Sequence, residues 1–289
     1  MKYPYYPGCT LYSKARNLDR CARQAAELLD VELIEMPSWN CCGAIYNTNF
    51  DDFAAQVGPV RNLAKASQMG ERLVTLCAAC YNVLKRAQEQ LNATGFEEDR
   101  KRILEFVDEP FERDVKVVHY LEVLKELGFE TVKARVKRSL NGLKVAGYYG
   151  CLMVRPREVM RFDDPENPVV MDELLAALGA EPVRFDFKTE CCGGYLVVNR
   201  RDVAYACSLR VVDNARTWGA ESIVTTCPLC QYNLEMAQLN RLPSEQQVPV
   251  FYFTQLLGLG LGIEPTGLGF EDNKMDLRDF LLNKGLINE

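Results

Sequence analysis

The sequence predicts an α/β protein built as two pseudo-symmetric, Rossmann-like halves with mainly parallel sheets, and three observations lead there. First, the element Cys41-Cys42-Gly43 returns as Cys191-Cys192-Gly193, each copy inside a matching frame of cysteines. Cys9 is followed after 31 residues by Cys41-Cys42 and after 34 more by Cys77-x-x-Cys80. Cys151 is followed after 39 residues by Cys191-Cys192 and after 34 more by Cys227-x-x-Cys230. A pattern kept at this spacing marks an internal duplication. Second, short β-branched or aromatic runs alternate with longer amphipathic ones, the mark of parallel strands joined by helices. Third, the cysteines fall just beyond the carboxyl ends of predicted strands, the edge of an open parallel sheet where ligands collect.

In the first half, residues 3–8 read as an extended entry, 13–29 as a helix and 31–36 as a strand leading to Cys41. A helix over 50–68 precedes a strand over 72–76 that runs into Cys77. A helix to Leu91, a charged and solvated helix over 97–106, a strand over 115–118 and a helix over 120–127 complete the half. Residues 133–142, with Lys133, Arg135, Lys137 and Arg138, read as a solvated linker. The second half repeats the order: strands over 144–149, 182–187 and 222–226, helices over 171–178, 202–218 and from 234. Residues 250–257 echo 117–124. The expected organisation is a first domain over 1–142, a second over 143–263 and a tail over 264–289, whose one short amphipathic helix, 277–282, suggests a partner contact.

A formal net charge of −6 and a sequence pI near 5.2 argue against a chain that grips nucleic acid. No apolar leader opens the sequence and no uninterrupted apolar run could span a bilayer, so a cytoplasmic protein is expected. Twelve cysteines in a reducing compartment serve as metal ligands or redox groups more readily than as disulfides. Soft thiolates select zinc, copper(I) or iron–sulfur units. Structural zinc takes four ligands, and an ordinary cubane [4Fe–4S] cluster also takes four thiolates. Each half offers five, so one is spare or the cluster is opened to admit another. Adjacent thiols such as Cys41 and Cys42 can reach different irons of one cluster, and Gly43 and Gly193 let the backbone turn close to it. A thioredoxin-like reading of Cys77-x-x-Cys80 leaves three cysteines per half unexplained. Cys21 and Cys207 lack counterparts and read as buried thiols; His119, the sole histidine, reads as structural.

The pattern Cys-x31/39-Cys-Cys-Gly-x33-Cys-x2-Cys, present twice, resembles the cysteine-rich CCG domain family, and a chain with both copies is similar to the B subunits of heterodisulfide reductases. The resemblance covers about residues 1–262. It implies two noncubane [4Fe–4S] clusters, one held by Cys9, Cys41, Cys42, Cys77 and Cys80, the other by Cys151, Cys191, Cys192, Cys227 and Cys230. It implies a catalytic subunit that reduces a disulfide or oxidises two thiols, with Cys41, Cys42, Cys191 and Cys192 at the reacting centres. A ferredoxin-like C subunit and a flavoprotein A subunit would deliver electrons. The family's histidine beside the cysteine opening the second set is missing, since Leu152-Met153-Val154-Arg155 follows Cys151, so disulfide chemistry is implied without naming the disulfide. Arg155, Arg157 and Lys144 are candidates for binding an anionic thiol. The alternative is an electron-transfer or quinone-linked subunit of an organic-acid oxidoreductase, which often carries ferredoxin motifs absent here.

Overall fold

The computed structural model describes residues 1–44 and 52–288. The first half contains β1 (Lys2–Tyr6), α1 (Gly8–Ser13), α2 (Arg16–Leu28), β2 (Glu32–Glu35), α3 (Asp52–Ser67), β3 (Arg72–Thr75), α4 (Ala78–Leu91), α5 (Glu97–Val107), β4 (Lys116–His119), α6 (Tyr120–Leu127) and α7 (Phe129–Ala134). The second contains β5 (Lys144–Tyr148), α8 (Arg157–Met160), α9 (Val170–Ala177), β6 (Glu181–Pro182), α10 (Leu196–Asn199), α11 (Arg201–Thr217), β7 (Ser222–Thr225), α12 (Pro228–Arg241), β8 (Val250–Tyr252) and α13 (Phe253–Gly260), with α14 (Leu277–Asn283) in the tail. Each half has a four-stranded, all-parallel sheet of one order, β2-β1-β3-β4 and β6-β5-β7-β8.

Several elements differ from expectation for local reasons. The extended entry is the inner strand β1, where Pro4 would normally argue against a ladder position. Pairing with β3 begins only at Tyr5, while Pro4 faces Ile34 on the β2 side, so the missing N–H breaks no bond. The helix expected over 13–29 is α2, and a further short helix, α1, precedes it with Cys9 in its first turn, where Ser13 Oγ donates to the Cys9 carbonyl at 2.7 Å. The strand over 182–187 shrinks to two residues. Pro182 cannot donate, and the amides of Asp186 and Phe187 donate to Asn214 Oδ1 on α11 instead of to a ladder. Phe50 and Asp51, the start of the helix expected over 50–68, lie outside the described residues.

The halves share one apolar core. α2 presents Ala22, Ala25 and Ala26, allowing close approach to α13, whose Thr254 Oγ1 donates to the Leu18 carbonyl at 3.1 Å. On the other flank Asn82 Nδ2 of α4 donates to the carbonyls of Leu152 and Arg155 at 3.0 and 2.7 Å. The linker is largely exposed, as expected, and is also tethered: Arg135 bonds to the Leu28 carbonyl and Asp30, and the amides of Lys137 and Arg138 to the Gly260 carbonyl. The tail is docked, with Leu277, Leu281, Leu286 and Ile287 buried and Phe251 in ring contact with Phe270 and Phe280. The apolar face of α14 is therefore covered by its own chain, which corrects its reading as a partner contact.

His119 is structural. Fully buried, its Nε2 bonds to the Leu76 carbonyl at 2.8 Å, and its Nδ1 accepts from Leu121 N–H at 3.2 Å, capping α6. Burial pushes the imidazole from 6.5 down to about 4. The unfolded chain binds the additional proton between these values, so this contribution is complete above about pH 6.5 and is lost as pH falls toward 4, by about 3 kcal/mol. Thermal midpoints should show His119→Asn, which can still cap the helix, with a shallower fall between pH 7 and 5 than the parent. Parallel curves would remove His119 as the cause.

Candidate functional site

Each sheet delivers its cysteines to the carboxyl edge from three directions. Cys9 follows β1 and Cys151 follows β5. Cys41-Cys42 and Cys191-Cys192 lie in the loops after β2 and β6. Cys77 and Cys227 are the N-cap residues of α4 and α12, with Cys80 and Cys230 in the first turns. A thiolate there takes over unpaired amides and the positive end of the helix dipole. The two helix starts lie near each other, since Cys77 and Ala79 of the first half line the same cavity as Cys227 and Leu229 of the second.

Within each set the thiols lie close together. Cys9 Sγ lies 3.8 Å from Cys41 Sγ and Cys42 Sγ lies 3.4 Å from Cys80 Sγ, while Cys41 and Cys42, and likewise Cys77 and Cys80, are near enough to influence each other's charge. In the second set Cys192 Sγ lies 3.5 Å from Cys230 Sγ, and Cys151, Cys191 and Cys227 influence the charge of their neighbours in the set in the same way. All twelve cysteines are free thiols. The ten expected ligands are thus gathered five and five. Cys21 stands apart, buried and donating to the Leu268 carbonyl, and its burial raises it to about 12. Cys207 is outside both sets and only half-buried, not buried as expected.

Five thiols in contact cannot all ionise without a compensating cation. The Cys41 thiol first, then Cys80, hydrogen-bond to Cys42 and hold it down to about 4, and Cys41 is pushed up in return. Cys191 is held down to about 2 by Cys151 and Cys192, while the proton it shares lifts Cys192 to about 12. Among the described residues no three His, Cys, Asp or Glu side chains surround a point fit for a single ion.

The backbone turns closely around both sets. Gly43 and Gly193 have φ of +76° and +91°. Gly8 and Gly150, at +75° and +66°, were not singled out in the sequence, yet a Cβ on either would meet Cys80 Sγ at 3.0 Å or Cys230 Sγ at 3.2 Å. Beneath the thiols lie Tyr6 and Tyr148, whose hydroxyls donate to the carbonyls of Asn40 at 2.8 Å and Glu190 at 2.7 Å and so position the loops that carry the cysteine doublets. The signal was available: Tyr-x-Gly-Cys occurs at Tyr6–Cys9 and again at Tyr148–Cys151.

A cavity of about 590 Å³ opens on the first set. All five of its thiols line it, and the second half supplies an apolar wall that includes Tyr195, Val198, Leu229, Tyr232 and Tyr252. Of the second set only Cys227 reaches this cavity, so the two sets do not share it evenly. Tyr195, three residues past the second doublet, crosses to the first half. Burial and the thiols of Cys227, Cys77, Cys42 and Cys80 keep its hydroxyl protonated. The expected anion binders are elsewhere: Arg155 faces Glu166 at 3.6 Å and Thr189, Arg157 opens α8, and Lys144 opens β5 at the edge opposite the cysteines.

A profile of the CCG cysteine-rich domain matches residues 3–85 and 145–235. The chain is 33% identical to the 8-methylmenaquinol:fumarate reductase membrane anchor subunit of Wolinella succinogenes, covering 95% of this chain and 97% of that one. It is 30% identical to the B subunit of the ferredoxin/F420H2-dependent CoB-CoM heterodisulfide reductase of Methanosarcina acetivorans, covering 97% and 96%. In fold it is similar to a hypothetical protein from Helicobacter pylori, with a TM-score of 0.71 at 14% identity, over 93% of this chain and 51% of that one. No helix among the described residues is long and apolar enough to cross a membrane. The two matched segments enclose all ten clustered cysteines, and this chain belongs to the cysteine-rich CCG domain family.

Proposed function

We propose that the chain is the catalytic subunit of a heterodisulfide reductase-like complex, reducing a disulfide or oxidising two thiols at two noncubane [4Fe–4S] clusters. The observation that carries this reading is the repeated gathering of five cysteines beyond the strands of each sheet, with close sulfur–sulfur approaches of Cys9 to Cys41, Cys42 to Cys80 and Cys192 to Cys230. These residues would hold the clusters, and Gly43 and Gly193 would give the backbone its close turns. Bound there, the two clusters would supply the two electrons that disulfide cleavage requires. Cys41, Cys42, Cys191 and Cys192 stand nearest the reacting sulfur in this reading. The apolar wall of the cavity holds the substrate and excludes water, and the Tyr195 hydroxyl remains a hydrogen-bond donor facing the thiols. A ferredoxin-like subunit and a flavoprotein would complete the complex in the cytoplasm. We also propose the domain division at 142 and 263, which the two separate sheets support, with the tail bonded to residues of both halves.

The Wolinella relative favours a second reading, an electron-transfer or quinone-linked subunit of an organic-acid oxidoreductase. One measurement separates them. Anaerobically purified protein should contain about eight irons and about eight sulfides per chain, and its oxidised form should develop a new electron paramagnetic resonance signal on addition of a thiol. Full iron without a thiol response supports the second reading, and zinc in place of iron overturns both.

A further inference from the structure

The tail does more than cover the core. Asn273, buried, collects four hydrogen bonds: its Oδ1 accepts from Asn17 Nδ2 at 2.9 Å and Gln255 Nε2 at 3.0 Å, and its Nδ2 donates to the Val250 carbonyl at 3.1 Å and Glu235 Oε1 at 3.4 Å. The next amide, Lys274 N–H, donates to Glu235 Oε2 at 3.0 Å. Residues of both halves thereby fix the backbone at this point of the tail. Asp272 and Lys274, on either side of Asn273, line the cavity, and Lys14 lines it from the end of α1. Asp272 faces Arg20 at 3.8 Å, whereas neither lysine is ion-paired among the described residues.

We propose that Lys14 and Lys274 form an anion subsite at the cavity mouth, and that the thiol or disulfide bound there carries a carboxylate or comparable anionic group. The assignment of sulfur as the reacting atom rests on the function proposed above; the charge preference rests on the two lysines. A chain of net charge −6 with Asp272 on the same cavity lining repels an anionic substrate. Two cations on the rim offset that repulsion at short range, while the apolar wall receives the uncharged part of the molecule. A neutral thiol or quinol gains nothing from them.

The test compares 3-mercaptopropionate with 3-mercapto-1-propanol, titrated into the iron-loaded protein and followed by its paramagnetic signal. The parent should bind the anionic thiol about tenfold more tightly, as expected for charge contacts near a surface. Lys274→Ala, Lys14→Ala and Asn273→Ala should each lower that preference severalfold, and Lys274→Arg should retain it. Equal binding of both thiols by the parent, or variants that weaken both equally, would overturn the subsite while leaving disulfide chemistry standing. If the signal ignores both thiols, the disulfide reading fails. Calorimetry with thiol-free glutarate then decides the subsite: binding weakened by Lys274→Ala upholds it, and no binding by the parent overturns it.

Discussion

Cys41→Ser should halve the iron content, from about eight to about four per chain, and bring disulfide turnover below detection. Cys41 lies in the first set between Cys9, at 3.8 Å, and its sequence neighbour Cys42. It is exposed where Cys42 is buried, so of the doublet it is the thiol a substrate can approach. A serine oxygen is harder and smaller than sulfur and a poor ligand for a thiophilic core. It would also remove the largest influence holding Cys42 as a thiolate. Retained iron with altered spectra and no turnover would mean instead that the remaining four thiols hold an ordinary cubane cluster. Cys207→Ser, outside both sets, is the matched control and should keep iron and activity. Full iron and full turnover in Cys41→Ser would exclude the first set from the chemistry.

Gly193→Ala should destabilise the protein by about 3 kcal/mol or more and deplete the second set of iron. A Cβ at this position would stand 2.5 Å from Ala204 Cα and 3.1 Å from its carbonyl oxygen, both backbone atoms of α11 that cannot step aside. Its φ of +91° is in addition a conformation that side chains other than glycine's avoid. Gly194 provides the comparison, because it lies in the left-handed helical region at +51° with nothing within 4 Å of the place a Cβ would occupy. Gly194→Ala should cost only about 1 kcal/mol. Thermal midpoints and iron analysis of the pair check this. Equal losses would mean that the doublet turn needs glycine for its torsion angles alone and not for close packing on α11.

The local part of the architecture was open to reading from the chain. Cys77-x-x-Cys80 and Cys227-x-x-Cys230 each follow a β-branched run and precede an amphipathic one, and the structure places both at helix starts after β3 and β7. His119 carried no motif, and its buried, helix-capping place agrees with a structural role. Errors came where a long-range partner replaced a local one. Residues 183–187 have strand character, yet Asn214 claims two of their amides. Arg155, Arg157 and Lys144 are near the second set in sequence but not at the cavity.

The sequence by itself determined the duplication, the parallel α/β architecture and which ten thiols belong together, because those follow from spacing along the chain and from the alternation of apolar runs. Only the tertiary structure decided that β1 is an inner strand, that the cavity opens on the first set with its wall drawn from the second half, and that the tail returns to place Lys274 at its mouth. Asn17 and Asn273 are separated by 256 positions and joined by one hydrogen bond. Contacts of that kind depend on the simultaneous packing of both halves, which no local pattern of residues encodes.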